Sequence, residues 1–138
     1  MLRRAFYSIY GTEVFTRVSA VLAERATIRH AIGSRAEDLA YMFCACDRRH
    51  LVSNVKKTEC FELRDRFTDR CVSLDRGTLA ALIEIALANE LEQLPSTTDI
   101  TGPKRDRWNS YIPFLSLGAR EAFQTPFAGP YPHSRVSW

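Results

Sequence analysis

The chain has 138 residues, 46% of them hydrophobic and 25% charged, with a formal net charge of +3, proportions that suit an ordinary globular protein with one core. Its 19 Lys and Arg and 16 Asp and Glu fall in mixed pairs (Glu24/Arg25, Asp65/Arg66, Asp69/Arg70) and form no basic stripe, which argues against a nucleic-acid partner. The apolar stretch behind Met1-Leu2-Arg3-Arg4 runs for only about six residues before Thr12 and Glu13, too short for a signal peptide or a membrane span, so a cytoplasmic protein without a membrane partner is expected.

Residues 2–11 (LRRAFYSIYG) read as the inner face of a buried helix with only Met1 ahead of them. That predicts a domain lacking its N-terminal helices, with an apolar face of Ala5, Phe6 and Ile9 open to self-association or to a partner protein. Gly11-Thr12 breaks this element. Val18, Val21, Leu22, Ile28 and Ile32 then recur at near-helical spacing up to Gly33, a C-terminal cap. Ser34-Arg35-Ala36-Glu37 has the form of a capping box, opening a helix whose stripe is Leu39, Met42, Phe43 and Cys46.

Residues 60–74 change period. Phe61, Leu63 and Phe67, then Val72 and Leu74, alternate with polar residues, predicting a hairpin joined by a turn of about three to five residues because Thr68-Asp69 offers no glycine. Asp75 caps a long helix carrying Leu79, Leu82, Ile83, Ala86, Leu87, Leu91 and Leu94, closed by Pro95. Ser96 to Asp106 reads as a polar loop containing the turn dipeptide Gly102-Pro103. Trp108, Tyr111 and Ile112 start a further helical stripe that Pro113 breaks, and a short segment follows from Leu117 to Phe123. Residues 124–138 are an irregular tail rich in proline and aromatic residues. The expected fold is mainly α, one domain over residues 1–123, with a single β-hairpin around residues 60–74.

Four cysteines bound the redox and metal chemistry. Cys44 and Cys46 lie in a helical pattern and point about 200° apart, so they do not share a metal. Cys60 and Cys71 flank the hairpin and could face one another, but without a secretory signal two reduced, partly buried thiols are expected.

Three stretches carry a family likeness: Phe6-Tyr7-Ser8-Ile9-Tyr10-Gly11-Thr12-Glu13-Val14-Phe15, Leu39-Ala40-Tyr41-Met42-Phe43-Cys44-Ala45-Cys46-Asp47-Arg48, and Leu87-Ala88-Asn89-Glu90-Leu91-Glu92-Gln93. In this order, with a hairpin between the last two, the chain resembles an uncharacterised, mainly bacterial family of helical proteins that is similar to the HD-domain superfamily of metal-dependent phosphohydrolases and oxygenases. The resemblance covers residues 5–95. It implies an HD-like helical domain, incomplete at its N-terminus. In the members resembled, the first stretch carries a histidine where HD enzymes hold a metal ligand, and that position is Tyr7 here. A phenol with a pKa near 10 is a poor ligand for such ions at neutral pH. No cofactor is therefore expected, and a divalent metal (iron, manganese or zinc) only if an ancestral site survives.

The candidate site residues follow from placement. Asp47 continues the Leu39/Phe43 face at i+4 and is a candidate ligand or base, weighed against a simpler reading in which it ends the helix and pairs with Arg48, Arg49 or a loop amide. Glu90 interrupts the stripe of the long helix, and two inward carboxylates from different helices are the material of metal and acid/base sites. Tyr7 and Thr12, beside Gly11, are candidate pocket-lining residues for a small molecule. His30, His50 and His133 are not spaced to share a ligand. The expected function is unknown: a degenerate or truncated HD-like domain without a complete metal site. The alternatives are a metal-dependent hydrolase or oxygenase acting on a small or phosphorylated molecule, and a small protein-binding or self-associating module.

Overall fold

The structure, a computed structural model, describes residues 9–13, 16–93 and 102–124. Its elements are α1 (Arg25–Ile32), α2 (Ser34–Ala45), α3 (Arg48–Asn54), β1 (Phe61–Asp65), β2 (Arg70–Leu74), α4 (Arg76–Glu92), α5 (Gly102–Asn109) and α6 (Leu117–Gln124), with single 3-10 turns at Leu22–Glu24 and Ile112–Phe114. The protein is mainly helical with one antiparallel hairpin among the described residues. The expectations placed on residues 2–8, on the Pro95 boundary and on the tail from 125 to 138 lie outside the described residues.

The first helix is shorter than the apolar spacing predicts. Val18 and Val21 are 57% and 56% exposed, Val21 is extended, and the Glu24 carboxylate accepts from the Val21 amide at 3.0 Å. That local bond satisfies the entry turn, so helical geometry is deferred to Arg25. Gly33 alone joins α1 to α2 and sits at φ +88°, in the region where a side chain would be strained. The expected capping box at Ser34 does not form: Gly33 is the N-cap, and the Glu37 carboxylate is drawn into contacts described below.

Helix α2 ends at Ala45 and the chain turns extended at Cys46. Asp47 therefore opens a new helix and does not continue the old face. Helix α3 shows little periodicity in sequence, and its anchor is the fully buried Asn54. Asn54 donates from Nδ2 to the carbonyls of Glu62 (2.6 Å) and His50 (2.9 Å), and its Oδ1 accepts from the Glu62 amide (3.0 Å). The side chain thus acts as a mock strand on the edge of β1 away from β2.

The hairpin pairs Phe61 with Leu74, Leu63 with Val72 and Asp65 with Arg70, across a four-residue turn from Arg66 to Asp69. Cys71 stands opposite Arg64, and Cys60 lies beyond the other end of the ladder. The two thiols that flank the hairpin are therefore several residues apart in register, both are exposed and not partly buried as expected, and none of the four cysteines is in a disulfide. Beyond the hairpin, the side chain of Asp75 caps α4 by accepting from the Thr78 amide at 2.8 Å.

The stretch expected to be a polar loop up to Asp106 is helical from Gly102. Pro103 sits in the first turn, where its missing N–H costs nothing. The apolar core is built from Phe43, Cys46, Leu51, Phe61, Leu63, Leu74, the inner face of α4 from Leu79 to Leu87, and Trp108, Tyr111, Phe114, Leu115 and Phe123. No helix among the described residues is long and apolar enough to cross a membrane.

Candidate functional site

A cluster of buried polar groups forms where α1 folds back along α2. Arg25 and Arg29 are four residues apart and share one face of α1. Both reach Glu37 in the first turn of α2, whose side chain is fully buried. Arg25 donates to Glu37 from Nε (2.7 Å to Oε1) and Nη2 (2.9 Å to Oε2), Arg29 Nη2 donates to Oε2 at 3.0 Å, and the buried Tyr10 hydroxyl donates to Oε1 at 2.8 Å. Asp38 lies on the outer rim of the same two guanidinium groups.

One turn further along α2, the Tyr41 hydroxyl donates to Asp65 at 2.7 Å, and its ring lies 3.6 Å beneath the Arg25 guanidinium. Asp65 also accepts from the amides of Phe67 (2.8 Å) and Thr68 (3.3 Å), closing the hairpin turn. Arg66 spans two elements, donating to the carbonyls of Cys44 and Gly11 at 2.8 Å each. No buried side-chain nitrogen or oxygen among the described residues lacks a partner, so this network is closed.

Its electrostatics follow from the contacts. Burial pushes the Glu37 carboxyl up, but hydrogen bonds from Arg25 and Tyr10, the Arg25 charge and the Arg29 bond outweigh it and hold the group below its ordinary value. Asp65 is lowered in the same way: burial opposes, and the bonds from Tyr41 and the turn amides prevail. Burial and Glu37 raise the Tyr10 hydroxyl, and burial and Asp65 push Tyr41 up to about 12. Burial also raises both inner thiols, Cys46 to about 12. The phenols and thiols stay protonated at neutral pH, while the carboxylates stay ionised and already bonded. Such groups make weak bases and poor nucleophiles.

The residues nominated from sequence lie elsewhere. Asp47 is half-buried and acts as the N-cap of α3, its Oδ1 accepting from the Arg49 amide at 2.7 Å. Glu90 on α4 accepts from Trp108 Nε1 at 2.6 Å and from Arg107 Nη2 at 2.9 Å, and Arg48 Nη1 approaches it at 3.6 Å. The link between the two acids is Arg48, which follows Asp47 in the chain and directs its charge to Glu90. Thr12 is buried, and Tyr7 lies outside the described residues. His30 and His50 are exposed. Among the described residues, no three His, Cys, Asp or Glu side chains gather where a metal ion would be held.

Sequence reasoning missed the Glu37 cluster. The signal for it was present in Arg25 and Arg29 at i, i+4 followed across Gly33 by Glu37-Asp38, a charge pattern that the capping-box reading of Glu37 absorbed.

A family model described as a domain of unknown function (DUF6817) matches residues 3–48. The matched stretch contains Tyr10, Arg25, Arg29 and Glu37, together with Tyr7, Thr12 and Asp47, and stops before the hairpin and α4. No curated protein and no solved structure matches the chain.

Proposed function

We propose that this chain is a degenerate HD-like helical domain that serves in the cytoplasm as a binding or structural module, without a metal centre of its own. The observation that carries this reading is the occupation of its acids. Asp47 is engaged by a helix amide. Glu90 is engaged by an indole and two guanidinium groups, and Glu37 by two guanidinium groups and a phenol. A metal ligand must direct free lone pairs at one point. Here Glu37 and Glu90 spend theirs on fixed donors from other elements, and Asp47 turns one oxygen to the helix it caps.

Two features support the binding role and the compartment. Val18, Val21 and Leu22 are exposed apolar side chains available for self-association or partner binding. The four free thiols suit a reducing compartment. The second reading, a metal-dependent hydrolase or oxygenase acting on a small or phosphorylated molecule, draws its support from Arg48, which brings the start of α3 toward Glu90.

Metal content decides between them. Protein purified without chelator from medium supplemented with iron, manganese and zinc is expected to carry substoichiometric metal. One ion per chain, lost on Asp47→Asn or Glu90→Gln, would overturn the proposal in favour of the enzyme. Light scattering on the same preparation then reads the oligomeric state directly.

A further inference from the structure

The two edges of the hairpin differ. On β1 the outward backbone groups are occupied: Asn54 holds the amide and carbonyl of Glu62, Cys46 bridges to Asp65, and the Arg66 amide donates to the Ala45 carbonyl at 3.0 Å. In an antiparallel ladder, successive residues alternate between bonding the partner strand and facing away from it. Glu62 faces away from β2, so Ser73 opposite it faces away from β1, as does Cys71 two residues earlier. The amides and carbonyls of Cys71 and Ser73 therefore point out from the free edge of β2, and among the described residues they meet no backbone partner. Arg70, Cys71, Val72 and Ser73 are all exposed, and Val72, opposite the buried Leu63, keeps 37% of its surface in water. The centre of the strand, Cys71-Val72-Ser73, has no charge, no proline and no bulge, the devices that keep an edge from pairing.

We propose that β2 pairs with β2 of a second copy of this chain, antiparallel about a two-fold axis at Val72, to make a four-stranded sheet. In this register Cys71 of each copy stands opposite Ser73 of the other, and all of their outward amides and carbonyls bond across the interface. The two Val72 side chains meet at the axis and cover each other. Asp69 comes opposite Asp75 of the other copy at the strand ends, and both acids are already bonded, Asp69 to Arg64 and Asp75 to the Thr78 amide. A second copy suits this edge better than a loose peptide does, because its strand is ordered before it binds. A five-residue strand covers less than the roughly 1,000 Å² of a stable interface, so the pairing is reversible. It involves none of Val18, Val21 and Leu22, and its test is independent of the metal content above.

Sedimentation of the full chain under reducing conditions, from about 10 μM to about 1 mM, spans the range of a weak reversible dimer. The mean mass is expected to rise with concentration from one chain toward two. Ser73→Pro removes an outward N–H that takes no part in the ladder to β1, and Val72→Lys sets two like charges on the axis. Each variant, with circular dichroism confirming native helix content, is expected to stay monomeric over the whole range. Register is read by oxidation in protein carrying Cys60→Ser and Cys71→Ser. There Val72→Cys is expected to give a covalent dimer, since residues opposite one another in a non-bonded pair stand about 4.5 Å apart at Cα. Arg70→Cys, displaced along the strand from its own copy, is expected to remain a thiol. A monomer at every concentration, a dimer that survives both Ser73→Pro and Val72→Lys, or equal cross-linking at positions 70 and 72 would overturn the proposal.

Discussion

At the scale of single residues, the side chain that decides most for its size is Asn54. It lies at 0% exposure and holds both backbone groups of Glu62. No leucine or alanine in that place supplies a donor and an acceptor at strand spacing. Asn54→Ala leaves an amide and a carbonyl of β1 without partners in a dry setting, where each unsatisfied group costs about 1–3 kcal/mol. We expect the variant to lose about 2–3 kcal/mol on that basis, seen as a lower urea midpoint with an unchanged slope. A loss under about 0.5 kcal/mol would mean that water takes over both bonds. Glu90 plays a comparable part between α4 and α5, accepting from Trp108, which is fully buried. A carboxylate at the edge of an apolar helix face invites a catalytic reading, and here the indole donor explains its placement.

At the scale of elements, Asp47 is a helix cap, and cap and ligand respond differently to the same substitutions. Asparagine caps a helix as well as aspartate does, while alanine removes the acceptor at a cost of about 1 kcal/mol. Asp47→Asn is therefore expected to leave thermal stability near that of the native chain, and Asp47→Ala to lower it by about 1 kcal/mol. A loss with asparagine equal to that with alanine would show that the charge, not the cap, is what the position needs. The same contrast marks where the fold was legible in sequence. The hairpin and α4 were readable because Phe61, Leu63 and Leu74 alternate and Leu79 to Leu87 keep a helical period, each pattern mirroring one buried face. Helix α3 was not, since Arg48–Asn54 buries only Leu51 and Asn54 and owes its place to a cap and to bonds with a strand distant in sequence. The start of α1 was misread because Val18, Val21 and Leu22 keep helical spacing without being buried. The Glu37 cluster was missed for a related reason: its charge pattern, Arg25 and Arg29 followed by Glu37, was absorbed by the capping-box reading, and its third donor, Tyr10, lies 27 residues away in sequence.

At the scale of the whole molecule, the buried carboxylates Glu37 and Asp65 and the exposed helix cap Asp75 tie stability to pH. Glu37, Asp65 and Asp75 all have folded-state values below their ordinary ones, whereas the unfolded chain titrates near the reference values of about 3.9 for Asp and 4.3 for Glu. Below those values the unfolded chain binds protons that the folded chain resists. Their contribution is therefore complete above about pH 5 and drains away as pH falls through the unfolded and then the folded values. For Glu37 the effect is separable. Glu37→Gln keeps the shape of the side chain but cannot be charged, so at neutral pH it is less stable than the native protein, with Arg25 and Arg29 left facing a neutral amide. As acid protonates Glu37 in the native chain, that advantage disappears. Urea unfolding followed by circular dichroism from pH 7 to pH 3 should give two stability curves that converge toward the acid end, the native curve falling faster. Parallel curves at every pH would mean that Glu37 contributes its shape and not its charge.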